Sequence, residues 1–324
     1  MYKKKPKVFI TRRLPSKIET RMMELFDTTL NEKDLLLNES QLINVFKNYD
    51  IIVPSIADNI SKAVIESATD KTKLIANFGA GIDHIDLKSA KDRQIIVTNT
   101  PGLLAEDTAD LVLALMLALP RRLYEGSKEV AQGNWNGWSP THMLGRRISG
   151  KRLGIIGMGR IGQAIAKRAK VFGISIHYHN RSQLPERIEE ILEATYWKSL
   201  DDMVKRMDIV SINCPLTDET KGIISNKILG LMMPNSYIIN SSRSEIIDEI
   251  ALVKLLKEKR IAGAGLDVFS AEKKRNTELL DLPNTILIPH MGSATVEGRI
   301  EMGEKVIINI KTFIDGHNPP NRII

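Results

Sequence analysis

The chain has 324 residues, with 46 Lys and Arg against 39 Asp and Glu, and a formal net charge of +7. Its 43% hydrophobic and 26% charged content is typical of a folded globular protein and excludes disorder as the main state. The length predicts about two domains, and the single cysteine, Cys214, excludes an internal disulfide.

The first hundred residues alternate short β-branched strands with amphipathic helices. Strands are predicted at 7–10, 51–53, 74–76 and 95–98, and helices at 18–25 and 58–67. Such alternation predicts βαβ units and a mainly parallel sheet. The basic start of the chain is followed by no long apolar run, so it is not typical of a secretory signal.

Residues 101–150 are predicted to form an apolar helix followed by an irregular loop. The apolar run Ala109 to Leu119 is capped by Asp107 or Thr108 and is too short to cross a bilayer, which takes about 20 residues. We therefore expect a cytoplasmic protein without a membrane partner. The loop 133–140 contains Trp135 and Trp138, which belong either to an interface or to local packing.

A second alternating series begins at Leu153. Strands are predicted at 153–156, 174–178, 209–213, 237–240, 264–268 and 286–288, with a last helix near 295–314. Two series of this kind predict two parallel sheets.

A glycine motif follows the first strand of that second series. Gly157, Gly159 and Gly162 have the G-x-G-x-x-G spacing, and they lie between an apolar strand and a predicted helix, 163–172. This is the context that a dinucleotide-binding loop requires, because the glycines allow a pyrophosphate to approach the helix N-terminus. Arg160 and Ile161 belong to the same cofactor-binding loop.

The end of the next strand indicates which dinucleotide binds. An NAD enzyme usually places Asp or Glu there, but this chain has Asn180, Arg181 and Ser182. No carboxylate repels a 2′-phosphate, and Arg181 can pair with one. The sequence favours NADP(H), with NAD(H) possible; alternatively, Arg181 is a surface residue and the enzyme accepts both cofactors.

Reduction of a carbonyl needs a proton donor, which is usually His. His290 ends an apolar strand, and strand carboxyl ends are where open α/β sheets bind ligands. Arg243 also follows a strand and can grip a carboxylate, while Glu272 can raise the pKa of the His290 imidazole if the two meet. His177 and His179 share a strand face without a third ligand, so no metal is expected, and His84 is interpreted as structural.

These motifs occur together in one order: Gly157-Met-Gly-Arg-Ile-Gly162, Asn240-Ser-Ser-Arg243, Leu266-Asp-Val-Phe269 with Glu272, and Pro289-His-Met-Gly-Ser-Ala-Thr295. The chain resembles the D-isomer-specific 2-hydroxyacid dehydrogenases over nearly its whole length. Asn180-Arg181-Ser182 and Trp135-Asn-Gly-Trp138 are most similar to the glyoxylate/hydroxypyruvate reductase branch.

The resemblance implies an α/β fold of two doubly wound parallel-sheet domains. A Rossmann nucleotide-binding domain would cover 101–291, and a discontinuous flavodoxin-like substrate-binding domain would cover 1–100 and 292–324. The implied assembly is a homodimer joined through 101–150.

The resemblance also implies an activity and its residues. An NAD(P)H-dependent hydride transfer would reduce a small 2-keto acid, glyoxylate or hydroxypyruvate, to the 2-hydroxy acid. Arg243 would bind and polarise the keto acid, His290 would donate the proton, and Glu272 would orient and charge the histidine. Two sets of residues would complete the sites: Ala80 and Gly81 for the substrate carboxylate, through backbone N–H groups, and Thr108, Cys214, Pro215, Ser242, Asp267 and Gly292 for the cofactor.

Two positions depart from the family pattern. Ser244 stands where a glycine is common after the arginine, and Lys273 where a proline is common after the glutamate. Neither change removes a catalytic side chain; the first can shift the arginine loop and the second frees a backbone that proline would stiffen.

Other functions remain open at this stage. One is an NAD-dependent dehydrogenase of another D-2-hydroxy acid such as D-lactate, and another is a non-enzymatic dinucleotide sensor similar to the C-terminal-binding corepressors. Nucleic-acid binding is not expected: the basic clusters at 3–13 and 273–275 are typical of solvated surface charge, and aromatic residues make up only 5% of the chain.

Overall fold

The computed structural model describes residues 5–102, 104–270 and 278–324. The chain divides into two compact units, one formed by 1–103 with 294–324 and the other by 104–293. Each unit has its own parallel sheet, as the two strand series predict. No helix in the described part of the chain is both long and apolar enough to cross a membrane.

The first unit is a flavodoxin-like α/β sandwich. Its sheet has the order β2-β1-β3-β4-β5, and every pairing is parallel. Its elements are β1 (Lys7–Ile10), α1 (Ser16–Leu25), β2 (Asp27–Leu30), α2 (Glu39–Asn48), β3 (Ile51–Val53), α3 (Lys62–Glu66), β4 (Leu74–Ala76), α4 (Leu87–Asp92), β5 (Ile96–Thr98) and α12 (Val296–Ile314).

The last helix, α12, returns to the first unit and makes it discontinuous in sequence. A Cβ on its Gly303 would lie 2.5 Å from Ile18 Cγ1, so α12 packs closely on α1. The buried Asn309 donates through Nδ2 to the carbonyl of Asn99 at 3.2 Å, just beyond β5. Apolar packing and a buried hydrogen bond therefore fix the C-terminal segment on the N-terminal sheet.

The second unit has a seven-stranded parallel sheet with the order β12-β11-β10-β9-β6-β7-β8. This is the Rossmann order, which reverses direction between β6 and β9 and leaves a crevice at their carboxyl ends. Its elements are α5 (Ala105–Ala118), α6 (Leu123–Ala131), β6 (Arg152–Ile156), α7 (Arg160–Val171), β7 (Ser175–His179), α8 (Glu186–Leu192), β8 (Ala194–Tyr196), α9 (Leu200–Val204), β9 (Ile209–Ile212), α10 (Asn226–Gly230), β10 (Tyr237–Asn240), α11 (Glu249–Lys257), β11 (Gly263–Leu266) and β12 (Thr285–Leu287), with 3-10 turns at Ser244–Ile246 and Glu278–Asp281.

Every predicted strand is present, but the sequence prediction missed β2 and β8. Both are short edge strands with partly exposed side chains, so neither has the continuous apolar run of a buried parallel strand. The predicted helix 58–67 is also too long. It begins at Lys62 because Ser61 caps it through its hydroxyl, whereas Ile60 pairs with Ile85 in an isolated bridge.

Candidate active site

The glycine loop after β6 packs against the carboxyl end of β9. Gly157 has φ +96°, and a Cβ there would lie 2.5 Å from the backbone nitrogen of Cys214. A Cβ on Gly162 would lie 2.5 Å from the carbonyl oxygen of Gly157. Any side chain at either position would therefore push the loop off the sheet.

The start of α7 presents free backbone donors beyond this loop. Within the described residues, the N–H groups of Gly159, Arg160 and Ile161 donate no hydrogen bond, and Gly159 caps the helix without a side chain. A Cβ on Gly159 would meet nothing within 4 Å, so the space in front of the donors is open. Free N–H groups at a helix N-terminus fit a pyrophosphate, and the loop thus fits a dinucleotide.

The residues after β7 divide between holding the loop and facing solvent. The Oδ1 atom of Asn180 accepts a hydrogen bond of 2.7 Å from the N–H of Met158, which ties this strand end to the glycine loop. Arg181 and Ser182 are exposed and make no hydrogen bond or ion pair with the described residues. Their side chains are available to a ligand at this edge.

The loops that carry Arg243 and His290 are joined through the strand between them. Asp267 follows β11, and its N–H donates to the carbonyl of Asn240 at 2.9 Å, whereas its own carbonyl accepts from the N–H of His290 at 2.9 Å. The Nδ2 atom of Asn240 donates to the carbonyl of Arg243 at 2.8 Å. The carboxyl ends of β10, β11 and β12 thus hold the arginine and the histidine in one rigid frame.

The side chains of Asp267 and Thr108 position the turn beyond His290. The buried Asp267 carboxylate accepts from the N–H groups of Met291, at 2.6 Å, and Gly292, at 2.8 Å. The Thr108 hydroxyl donates to the carbonyl of Gly292 at 3.1 Å. His290 has φ +49°, a left-handed conformation that costs energy in a non-glycine residue and persists here because these bonds hold its neighbours.

The predicted cap of the apolar helix is wrong. The helix α5 begins at Ala105, and its N-cap residue, Leu104, makes no side-chain capping bond. Thr108 instead lies within the first turn, is buried, and gives its hydroxyl to the Gly292 carbonyl. A tertiary partner therefore displaces the local capping bond that the sequence suggested.

Cys214 and Ser242 lie where β9 and β10 end. The Ser242 hydroxyl donates to the carbonyl of Cys214, which joins the two strand ends. Burial raises the pKa of the Cys214 thiol to about 11, so the thiol is neutral at physiological pH and is not an activated nucleophile.

Of the two departures from the family pattern, Ser244 donates its hydroxyl to Glu245 Oε2 at 2.9 Å and begins a 3-10 turn. Lys273, like Glu272, lies outside the described residues.

In the first unit, the loop after β4 has the same donor-rich character. The buried Asn77 amide donates to the carbonyls of Gly79, at 3.0 Å, and Gly81, at 2.9 Å, while Asn99 Nδ2 donates to that of Ala80 at 2.8 Å. All three carbonyls therefore have partners within the fold. The N–H groups of Ala80 and Gly81 donate to none of the described residues, so this loop can bind an anion through its backbone.

Asn77 and Asn99 were not among the residues predicted from the sequence. Both are polar residues that come directly after buried strands, which is the signal that could have identified them. His84 holds Asn77 from behind, with its Nε2 atom 3.1 Å from Asn77 Oδ1. The interpretation of His84 as structural agrees with this contact.

The other histidines contact side chains and backbone of the protein. His177 accepts from Trp197 Nε1 at 3.2 Å, and His179 Nδ1 lies 2.9 Å from the Trp197 carbonyl. Burial, and then the nearby charge of Arg152, lowers the pKa of His177. The described residues include no group of three or more His, Cys, Asp or Glu that could hold a metal ion.

The predicted loop with two tryptophans is irregular and exposed. Trp135 is 53% and Trp138 83% exposed, so neither is buried in a local core. Large apolar side chains of α6 and the following loop are exposed with them: Leu123, Tyr124, Val130 and Leu144.

Comparison with known proteins places this geometry in a family. Residues 113–292 match the sequence family described as D-isomer specific 2-hydroxyacid dehydrogenase, NAD binding domain. A glyoxylate reductase of Thermococcus litoralis is 43% identical over 98% of this chain and 97% of its own length.

Solved structures give the same result. A putative D-isomer-specific 2-hydroxyacid dehydrogenase of Polaromonas has a TM-score of 0.93 and 37% identity, covering 98% of this chain and 99% of its own. An NADPH-dependent glyoxylate/hydroxypyruvate reductase of Sinorhizobium meliloti, solved with NADP and malonate, has a TM-score of 0.86 and 31% identity, covering 98% of this chain and 97% of its own. The chain therefore belongs to the D-isomer-specific 2-hydroxyacid dehydrogenase family of oxidoreductases.

Proposed function

We propose that this enzyme reduces glyoxylate or hydroxypyruvate to the 2-hydroxy acid with NADPH as its preferred cofactor. The observation that carries the proposal is the frame around Asp267, which joins the loops of Arg243 and His290 at the carboxyl edge of the Rossmann sheet. A guanidinium and an imidazole held in this way can grip a keto acid and protonate its carbonyl oxygen. The glyoxylate reductase relatives support this substrate class.

The cofactor would lie along the glycine loop of the second unit. The free N–H groups of Gly159, Arg160 and Ile161 would hold its pyrophosphate, and Arg181 with Ser182 would meet the 2′-phosphate of NADPH. Pro215, directly after Cys214, would lie along the nicotinamide half with Ser242, Thr108 and Gly292. When bound, the dinucleotide supplies the hydride.

Arg243 and His290 would divide the work on the substrate. The guanidinium of Arg243 would bind the carboxylate and polarise the adjacent keto oxygen, since its planar fork suits a bidentate contact. His290 would deliver the proton to that oxygen as its negative charge develops. Glu272 would orient the imidazole and favour its charged form.

Each unit would have its own part in binding. The second unit, 104–293, would be the nucleotide-binding domain, and the first unit would be the substrate-binding domain. The N–H groups of Ala80 and Gly81 would bind the substrate carboxylate, as the engaged carbonyls of that loop suggest. This is the chemistry of a backbone nest.

We also propose a homodimer joined through 101–150. The exposed side chains of Trp135, Trp138 and Leu144 support it, because large aromatic and apolar side chains exposed in one segment of a chain are typical of an interface. Sedimentation of the purified protein should show twice the chain mass, and Trp138→Ser should shift the equilibrium toward monomer.

The cytoplasmic location that we propose is supported by the lone cysteine, Cys214, which forms no disulfide.

The deciding experiment is a steady-state panel of 2-keto acids with NADPH and NADH. Glyoxylate or hydroxypyruvate with NADPH should have the highest kcat/KM. Arg243→Ala should lower kcat/KM by about 10²–10³-fold, as expected for removing a charged group from the reacting oxygen. His290→Asn should lower kcat by about 10²–10⁴-fold, because it removes the proton donor.

The exposed Arg260 of the same unit provides a matched control, and Arg260→Ala should leave both constants unchanged. Near-full turnover in Arg243→Ala at saturating keto acid would contradict the roles assigned here. A higher kcat/KM with NADH than with NADPH would contradict the cofactor preference. Faster reduction of pyruvate than of glyoxylate would favour a D-lactate dehydrogenase instead.

A further inference from the structure

The loop between β7 and α8 is anchored by a buried tyrosine whose role is not explained by packing alone. Tyr178 lies on β7 and is fully buried. Its hydroxyl nevertheless makes hydrogen bonds to the loop and to α8. The hydroxyl accepts a hydrogen bond of 2.8 Å from the N–H of Leu184, at the far end of the loop. It donates in turn to Glu189 Oε1 at 2.5 Å.

Glu189, on α8, extends this anchor back into the loop. Its two carboxylate oxygens accept from Gln183 Nε2 at 3.2 and 2.9 Å. The strand tyrosine, the helix glutamate and the loop glutamine thus form one hydrogen-bonded set, which we call the tyrosine anchor: Tyr178, Gln183 and Glu189. Burial and the nearby carboxylate raise the pKa of Tyr178 to about 12, which keeps its hydroxyl protonated and able to donate.

The near end of the loop is fixed separately. Asn180 accepts from Met158 N–H through its side chain at 2.7 Å, and through its carbonyl from the Tyr196 hydroxyl at 3.3 Å. Both ends of the five residues 180–184 are therefore held. The residues left at the apex are Arg181 and Ser182, whose exposed side chains hydrogen-bond to none of the described residues.

The carboxylate of Glu219 interacts electrostatically with Arg181 at the apex. Glu219 is exposed, and its pKa is lowered first by a hydrogen bond from Thr217 and only last by the charge of Arg181. The guanidinium of Arg181 forms no ion pair with any carboxylate of the described residues. The loop is thus rigid at both ends, while the cation at its apex is available to a ligand.

We infer that Tyr178, acting through Glu189, is a positioning residue that sets the preference for a 2′-phosphorylated dinucleotide. By fixing Leu184 and Gln183, the tyrosine anchor holds Arg181 and Ser182 at the place where the 2′-phosphate must lie. Binding a ligand to a flexible loop costs conformational entropy, because the loop must become ordered. A loop that is ordered before the ligand binds avoids this cost. The inference rests on the proposed use of NADPH and adds the residues that make the preference effective.

A test needs a pair of ligands that differ only in the 2′-phosphate. Adenosine 2′,5′-bisphosphate and 5′-AMP are such a pair, and neither can take part in hydride transfer. Titration calorimetry of the full-length protein with each ligand reports the phosphate contact without any catalytic step.

Tyr178→Phe keeps the ring, which lies 5.3 Å from that of Tyr196, and removes only the hydroxyl. It should weaken adenosine 2′,5′-bisphosphate by about 5–20-fold, as expected for two lost hydrogen bonds, and 5′-AMP by less than about twofold. In kinetics, KM for NADPH should rise by a similar factor, while KM for NADH and both kcat values stay constant. Glu189→Gln keeps an acceptor for the tyrosine and should retain most of the discrimination.

Tyr237→Phe is the matched control, since Tyr237 is a partly buried tyrosine on β10 of the same sheet. It should change neither ligand's affinity. If Tyr178→Phe weakens both ligands equally, or weakens neither, the inference is wrong although the proposed function stands. If the wild type does not discriminate between the ligands, both the cofactor preference and the inference fail. If it discriminates but does not reduce glyoxylate, the substrate proposal fails and the role of Tyr178 remains.

Discussion

The two units each contain a glycine-bearing loop after a buried parallel strand, and the two loops free their backbone donors in different ways. After β6, Gly157 packs directly against the backbone of Cys214. The free N–H donors of this loop belong to the first turn of α7. After β4 no helix begins at the loop; instead the amides of Asn77 and Asn99 bind the carbonyls of 79–81.

The two loops are therefore sensitive to different substitutions. A loop shaped by backbone packing against a strand fails when a single carbon atom is added, because there is no space for it. A loop shaped by side-chain amides fails when a hydrogen-bond donor is lost, since its carbonyls then have to find new partners. Substitutions at Gly157 should therefore lower the affinity for the cofactor, and substitutions at Asn77 should raise the KM for the keto acid.

For these two loops, the largest expected effect concerns Cys214, whose backbone supports the loop after β6. With a thiol pKa of about 11, the reactive thiolate is scarce at pH 8. Modification by a disulfide reagent should be about two orders of magnitude slower than for free cysteine. The rate should rise with pH up to about 11, since a raised pKa shifts ionisation to higher pH. A plateau below pH 9 would show that the thiol is not buried as described.

Gly157→Ala should have the next largest effect. The added Cβ would lie 2.5 Å from the Cys214 nitrogen at φ +96°, so the loop must move away from β9. We expect the free energy of unfolding to fall by about 1–3 kcal/mol and NADPH affinity to fall about 30-fold. Denaturant titration and NADPH fluorescence measure the two effects.

Gly150→Ala separates the effect of the clash from that of the backbone angle. Gly150 has φ +75°, but a Cβ there would meet nothing within 4 Å. The control should lose some stability and no NADPH affinity. Equal losses of affinity in both variants would mean that strain, and not the contact with β9, explains the result.

Asn77→Asp tests the second loop. It removes the amide donor to Gly79 and Gly81 and places carboxyl oxygens against their carbonyls. KM for the keto acid should rise about tenfold, which corresponds to roughly 1.4 kcal/mol, while KM for NADPH stays constant. The split between the two KM values is the measurement.

Asn31→Asp is its control. The Nδ2 atom of Asn31 also bridges two carbonyls of the first unit, those of Thr11 and Leu35, each at 2.7 Å. A rise in keto-acid KM that is the same in both variants would indicate general loosening of the unit and would remove the special role given to Asn77.

The smallest effect is expected from His84→Phe. The change removes the contact between His84 Nε2 and Asn77 Oδ1 and keeps a ring of similar shape. Keto-acid KM should rise about threefold, in keeping with one modest hydrogen bond. His317→Phe, at an exposed position, should leave it unchanged. An unaltered KM in His84→Phe would restrict the support of this loop to the two asparagines.

Much of this could be predicted from the sequence because its signals are local. Buried parallel strands are continuous apolar runs, so all ten predicted strands are present, and the edge strands β2 and β8, which lack such runs, were missed. The strand, glycine loop and helix start at 152–171 could be predicted because the G-x-G-x-x-G spacing is typical of a tight turn between a strand and a helix. Asn77 was missed because its role depends on which carbonyls the turn after β4 brings back toward it.

Thr108 is a residue for which the local sequence pattern predicted the wrong hydrogen bond. Its position before an apolar run predicts a helix cap, a bond within one turn, but its hydroxyl binds Gly292, which is distant in sequence. Tyr178 appears in the sequence as one aromatic residue in a strand, and only the packing of α8 against that strand brings Glu189 to its hydroxyl.

The fold class, the family, the glycine loop and the candidate pair Arg243 and His290 could all be predicted from the amino-acid sequence, because hydrophobic periodicity and motifs of fixed spacing indicate them. The polar groups that hold these features become visible in the fold: Asp267 between the loops of Arg243 and His290, Asn77 at the carbonyls of the loop after β4, and Tyr178 at Leu184, in the loop that carries Arg181. A buried hydrogen bond depends on the distance and direction between segments that are far apart in the chain, and no local pattern contains that information.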